Sequence, residues 1–340
     1  MRAQVAALRP MLIALGLALL VGAVMMLVSG SNPITGYAEI LKGSLGPEGW
    51  STTVTLAILV VGSALAVALP LRARLVNLGG EGQLVGGGIT AVLVATALPN
   101  LPTAIALPIA LVAAGLVGAL IGFLPALMEN SIGVPLLISS LLLSYPIVAL
   151  ASYLVRFPLL DEGTGLPQTE ILPSGYQMPE VGEVSGALVV MALIVAVVIV
   201  IDRAMPAGYE IRLTGLNRNF TAYSGVRVDD IALRVMAGGG AIAGVVGALI
   251  VTNFPYRYVD GSLITPGYVW TGLLAAMLAR ANPIGAVVAG VFFAALQVGG
   301  SALERETFVP RELSSILQAT VIIILAGALA LNARKSQKVA

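Results

Sequence analysis

The sequence contains neither cysteine nor histidine in 340 residues. Their absence removes disulfide cross-links, thiol nucleophiles, imidazole bases and the usual zinc ligands together. Charge is scarce too: Asp, Glu, Lys and Arg make up 10% of the chain, where a soluble domain carries roughly 25%. The net charge of +1 argues against a nucleic-acid partner, which needs a concentrated basic surface. No G-x-x-x-x-G-K-S/T pattern occurs, so the chain lacks that route to ATP hydrolysis. No other catalytic constellation stands out, and neither an enzyme activity, a cofactor nor a metal is expected. What is abundant is apolar: 58% of residues are hydrophobic, mean hydropathy is +0.98, and many of the 39 glycines lie inside apolar runs. In water those glycines weaken helices, whereas in lipid they let helix backbones approach closely. The expected fold is all-α, a polytopic membrane protein forming one domain over 1–340.

A span needs roughly 20 mostly apolar residues. Ten candidates emerge, over 11–28, 52–71, 84–98, 103–127, 134–154, 184–201, 229–252, 268–279, 283–300 and 313–333. The third, eighth and ninth are short or glycine-rich, which suits tilted, broken or partly crossing helices. The first is longer than a signal-peptide h-region and is followed by no small-x-small cleavage site, so it reads as retained. With ten spans and a cytoplasmic N-terminus, thirteen of the eighteen Lys and Arg fall inside, among them Arg72, Arg203, Arg212, Arg218, Arg227 and Arg280. That is a positive-inside bias, and it puts both termini in the cytoplasm. Acidic residues such as Asp161, Glu170, Glu304 and Glu306 gather outside. Spans 2–5 and 7–10 then form two oppositely directed blocks, and inverted repeats place a substrate path near the midplane between them. The echo of Gly115–Ile121 (GLVGALI) in Gly244–Ile250 (GVVGALI) falls at non-equivalent spans and reads as coincidence.

Two long polar connections interrupt the apolar chain. Residues 156–183 hold Pro158, Pro167, Pro173 and Pro179 and read either as an ordered external cap or as a floppy connector. Residues 202–228 carry Arg212, Arg218 and Arg227 around Asn217–Ser224, which is long enough for one or two helical turns. A basic loop with its own helix suits docking onto a cytoplasmic partner.

Within the spans, Asn77-Leu78-Gly79-Gly80-Glu81-Gly82-Gln83 sets a carboxylate and two amides at the mouth of an apolar segment. Burying a carboxylate in lipid costs about 2.5–3.5 kcal/mol on insertion scales, so it must be paired or watered. Asn77, Glu81 and Gln83 are candidates for a gate or for bracing, with helix capping by Glu81 as the plainer reading. Ser139, Ser140, Ser144, Tyr145, Tyr268, Trp270, Thr271 and Gln297 are candidate path residues, since hydroxyls and aromatic faces suit a neutral base or sugar. Serine and threonine in membrane helices also bond the preceding turn's carbonyl, which is the structural alternative for each.

The NLGGEGQ segment resembles the N-I/L-G-x-E-G-Q signature of ABC-importer permeases, in the nucleoside and simple-sugar branch of the ribose and branched-chain amino acid superfamily. Tyr209–Asn217 followed by Ala222-Tyr223-Ser224-Gly225-Val226 resembles that family's R-A-x-G-x-N-x-x-A-A-x-x-A/S-G-I coupling segment. Gly272–Leu278 with Asn282-Pro283-Ile284-Gly285 resembles its G-I-A-V-A-L-L-G-x-x-x-P-x-G. The matches run in order from about residue 77 to 300. The segment Pro135–Tyr145 departs from the nucleoside pattern N-E-V-I-x-T-x-M-L-N-Y, with Pro135 and Leu136 replacing Asn and Glu and Ser144 replacing a later Asn. Trp270-Thr271 stands where phenylalanine and an acidic residue are frequent.

The resemblance implies a permease subunit that imports a small solute across the bacterial inner membrane by alternating access. Its partners would be a cytoplasmic ABC ATPase, a second permease, identical or homologous, and an external solute-binding protein. Arg212, Gly215, Asn217, Arg218, Tyr223 and Gly225 are the positions that would couple to the ATPase. Neither 139–145 nor 268–271 holds a carboxylate or a cation, which favours a neutral nucleoside, nucleobase or simple sugar. An ion-gradient-driven transporter is the alternative, and it would want carboxylates inside spans, which this chain scarcely has.

Overall fold

The computed structural model describes residues 16–306 other than 18 and 183, together with 312, 315–316 and 319–320. Most of the tenth expected span, the charged termini, Arg311 and Glu183 lie outside the described residues. The order is α1 (Leu19–Val28), α2 (Pro33–Leu45), α3 (Trp50–Arg72), α4 (Gly80–Ala97), α5 (Thr103–Ile132), α6 (Leu136–Arg156), α7 (Ala187–Ala204), α8 (Pro206–Leu216), α9 (Arg218–Tyr223), α10 (Val228–Thr252), α11 (Tyr268–Leu278) and α12 (Pro283–Glu306). A small hairpin, β1 (Glu180–Val181) and β2 (Val184–Ser185), precedes α7.

Among the described residues six helices, α3, α5, α6, α7, α10 and α12, are long and apolar enough to cross a membrane. A seventh crossing results if α1 and α2, which meet at 113°, count as one broken span. The third and eighth expected spans correspond to α4 and α11. Glu81, Gln83 and a run of glycines dilute the hydropathy of α4, and α11 has only 11 residues. Helix α2 occupies a stretch that the sequence reading left in an external connection. Pro33 sits in its first turn and the Asn32 side chain accepts from Ile34 N at 2.9 Å, a standard helix start.

The chain divides into two compact units, one of residues 58–290 and one of the segments on either side. In the flanking unit Met26, Ile40 and Leu303 form a buried cluster, and Gly43 of α2 lies directly on Ala302 of α12.

The larger unit is organised around α4, α5 and α10, packed glycine to glycine. A Cβ on Gly118 would stand 2.2 Å from the Gly240 carbonyl oxygen, one on Gly122 2.3 Å from that of Met236, and one on Gly244 2.3 Å from that of Ala114. Gly87 meets Gly244 and Gly247 meets Leu84 just as closely. The helices touch backbone to backbone, the arrangement that small residues permit in lipid. Segments 114–122 of α5 and 236–245 of α10 run antiparallel and face each other, whereas Gly247 turns to Leu84 of α4.

Candidate translocation and coupling sites

The loop between α3 and α4 ends in an amide pair. Asn77 Nδ2 donates to Gln83 Oε1 at 3.0 Å, and Gln83 Nε2 donates back to Asn77 Oδ1 at 3.2 Å. Asn77 Oδ1 also accepts from Gly79 N at 2.9 Å. Both side chains are buried, so the pair satisfies polar atoms that would otherwise be costly. It fixes the point at which α4 starts.

The first turn of α4 touches both segments proposed to line a path. Toward α6, a Cβ on Gly79 would lie 2.8 Å from Ser140 O and one on Gly82 2.7 Å from Ser144 Cα, while Leu78 N donates to Ser140 Oγ at 3.2 Å. Toward α11, Gly80 packs on Val269, and Trp270 Nε1 donates to Glu81 Oε1 at 2.7 Å. The carboxylate in the first turn of α4 is thus shared with the first turn of α11, near two helix N-termini that favour negative charge.

Ser139, Ser140, Ser144 and Thr271 are buried at this junction. The three serine hydroxyls donate to carbonyls one turn back, at Pro135, Leu136, Leu137 and Ser140. Tyr145 is not brought in: it stands off the buried face of α6 and is exposed. Trp270 is half exposed and Tyr268 is partly buried. Gln297 lies in the other unit.

The polar loop 202–228 folds into α8 and α9. Asn217 ends α8 and begins α9, its Oδ1 accepting from Phe220 N at 3.0 Å. The expected helical turns over Asn217–Ser224 are therefore present as α9. Of the loop's arginines, Arg212 is turned inward, whereas Arg218 and Arg227 are more exposed and pair with neighbouring carboxylates. Arg72 Nε and Nη2 clasp Asp202 at 3.1 and 3.2 Å, and Arg212 reaches the same carboxylate at 3.3 Å and also its main-chain carbonyl. Arg218 pairs with Asp229 at 2.7 Å and Arg227 with Asp230 at 3.0 Å. The segment also exposes Tyr209, Leu216, Phe220 and Tyr223, the last 92% exposed.

Residues 156–182 are tied to the connection between α10 and α11. Thr169 N donates to Tyr258 O at 2.9 Å, Leu172 N to Tyr256 O at 2.7 Å and Met178 N to Thr252 O at 2.8 Å. Ion pairs Arg156–Asp260 (2.6 Å) and Arg257–Asp161 (3.3 Å) close the same seam. Tyr176 is buried beneath it and donates to Leu98 O at 2.8 Å. Burial raises the Tyr258 phenol above its ordinary value, and the Asp260 charge adds to the effect. Tyr256 is raised by desolvation and by Glu180, whose carboxylate accepts its hydroxyl. Of the two readings of this segment, the ordered one describes it.

The family model described as branched-chain amino acid transport system, permease component, matches residues 49–326. The chain belongs to this permease family. It is 32% identical to a glucose ABC transporter permease protein of Haloferax volcanii, over 91% of this chain and 84% of the relative. It is 30% identical to a guanosine ABC transporter permease protein of Bacillus subtilis, over 94% of this chain and 93% of the relative. A nucleoside ABC transporter permease protein of Lactococcus lactis is 25% identical over 93% of this chain and 89% of its own length. These relatives place the chain among ABC permeases of the ribose and nucleoside branch, multi-pass membrane subunits that are not themselves catalytic. The NLGGEGQ segment and α8–α9 both fall inside the matched residues.

Proposed function

We propose that this permease imports a small neutral solute, a nucleoside, nucleobase or simple sugar, across the bacterial inner membrane by alternating access. Its energy comes from a cytoplasmic ABC ATPase, with a second permease and an external solute-binding protein completing the assembly. The observation that carries the ATPase coupling is the outward face of α8–α9, where Tyr209, Leu216, Phe220 and Tyr223 are exposed beside arginines each paired with a carboxylate of the same chain. Large exposed apolar groups on a polar loop fit a groove on a partner.

The topology of this reading is ten crossings with both termini cytoplasmic, in which α4 and α11 are spans sheltered by protein. Two inverted repeats, α3–α6 and α10 onward, are supported by paired contacts. The start of α4 meets the start of α11 (Gly80–Val269, Glu81–Trp270); α4 packs on α10 as α11 packs on α3, through Gly87–Gly244 and Gly272–Ser63. The solute would pass beside the α4, α6 and α11 junction, with Ser139, Ser140, Ser144, Tyr268, Trp270 and Thr271 as its lining and Asn77, Glu81 and Gln83 as brace. Neither 139–145 nor 268–271 holds a carboxylate or a cation, so a charged solute would find no counter-ion on these segments, which is costly in low dielectric.

Uptake of radiolabelled nucleosides, nucleobases and sugars by cells lacking other routes tests this directly. Saturable uptake of one of these is expected; transport of a charged amino acid with none of the neutral solutes would overturn it.

A further inference from the structure

Helix α8 presents one face to the ends of two other helices. Gly208, Ile211, Arg212 and Gly215 recur at intervals of three and four residues, and so share that face. A Cβ on Gly208 would stand 2.1 Å from Ile201 O and 2.7 Å from Asp202 Cα, at the end of α7. One on Gly215 would stand 2.1 Å from the carbonyl oxygen of Arg72, the last residue of α3. Between the two glycines Arg212 meets Asp202, which is also held by both nitrogens of the Arg72 fork. The Asp202 side chain is only 12% exposed. Ile211 closes the base of the contact with Ala73, Ile231 and Val235.

We infer that Asp202 is a positioning residue for transport: it clasps α8 to the end of α3, so that movement of α9 is passed to residues 73–79 and the start of α4. The inference rests on the reading of α9 as the ATPase contact. Arg72 is followed directly by the short loop that ends in the Asn77–Gln83 pair, and α4 begins there, with Glu81 bonded to Trp270 of α11. A displaced α8 with an intact clasp must carry Arg72 with it, because the glycine contact has no side chain to yield and the bidentate pair fixes direction as well as distance. Without the clasp, α8 can move and leave α3 behind. Arg218–Asp229 and Arg227–Asp230 involve more exposed groups and reach only the start of α10, so they do not serve this path.

The test uses the whole permease–ATPase complex with its binding protein in proteoliposomes, and reads solute moved per ATP hydrolysed. Asp202→Asn should leave ATPase association and basal hydrolysis unchanged while transport per ATP falls by about tenfold, within the range by which single residues modulate coupling. Asp202→Glu, which keeps the charge, should recover most of the loss. Arg72→Lys keeps the cation but loses the fork, and should uncouple in the same way, so the inference stays testable if Asp202→Asn does not insert. Wild-type transport per ATP in both uncoupling variants overturns the inference, and so does loss of ATPase association in either. Phe220→Ala combined with Tyr223→Ala should abolish ATPase association. Retained association in that variant counts against α9 as the contact, separately from the clasp.

Discussion

Asn77 and Gln83 bond to each other through both amide groups, so neither can be replaced without stranding the other's polar atoms in a buried site. Asn77→Ala should cost about 1–3 kcal/mol, the penalty for a buried unsatisfied group, and lower the apparent Tm of the purified protein. An unchanged melting curve would mean water replaces the amide at no cost. Tyr258 gives a second expectation at this scale. Its phenol is raised above the ordinary value of 10 by burial and by Asp260. A group raised on folding stabilises the fold fully below its unfolded value, and that contribution is lost as pH climbs through the folded value. The seam between 156–182 and the α10–α11 connection should therefore loosen only above about pH 10, and Tyr258→Phe should blunt the alkaline loss, read by amide exchange across the seam. Individual residues were unevenly legible in the sequence. Glu81 and Gln83 stood out because polar groups at the mouth of an apolar segment need partners. Trp270 as the partner of Glu81 did not, because 189 positions of chain separate them. Tyr145 looked like its neighbour Ser144 and lies off the buried face, since adjacent helical residues are about a quarter-turn apart.

At the scale of elements, α9 was legible because Asn217 is a strong N-cap set inside a polar break, and caps act locally. Helix α2 was not, since the face it buries is Gly36, Ile40 and Ser44, of which only Ile40 is a large apolar residue, so the sequence shows no apolar stripe there. The arginines of the loop were visible while their partners were not: Arg72 and Asp202 are 130 positions apart. Replacing Asn217–Tyr223 by a Gly/Ser linker should leave insertion intact and remove substrate-stimulated ATP hydrolysis. Stimulation that survives the linker would show that α9 is not the coupling element.

For the whole molecule, composition and the ordered motifs made a helical permease legible, because the bilayer admits so few solutions for a chain this apolar. The count of crossings was harder to read. Length and hydropathy identify helices that face lipid, and α4 is enclosed by α5, α6 and α10 instead, so it carries glycine and polar groups that a lipid-facing helix would exclude. The acidic groups that the proposed topology puts outside yield an expectation at this scale. Glu162, Glu170, Glu304 and Glu306 are exposed, and with Glu312 they should speed the approach of a binding protein bearing a basic rim. Neutralising Glu304, Glu306 and Glu312 together should slow association at low ionic strength, measured by stopped-flow, with the difference shrinking as salt is added. An unchanged rate at low salt would reduce these residues to solubilising groups.

The contact among α4, α5 and α10 has a consequence for inheritance. At Gly87, Gly118, Gly122, Gly240, Gly244 and Gly247 the space for a Cβ is already filled by backbone of another helix, so no rotamer of any other amino acid relieves the clash. A library of random variants selected for uptake should return one letter at these six sites and many at the lipid-facing positions beside them. Even a methyl group would force two helices apart.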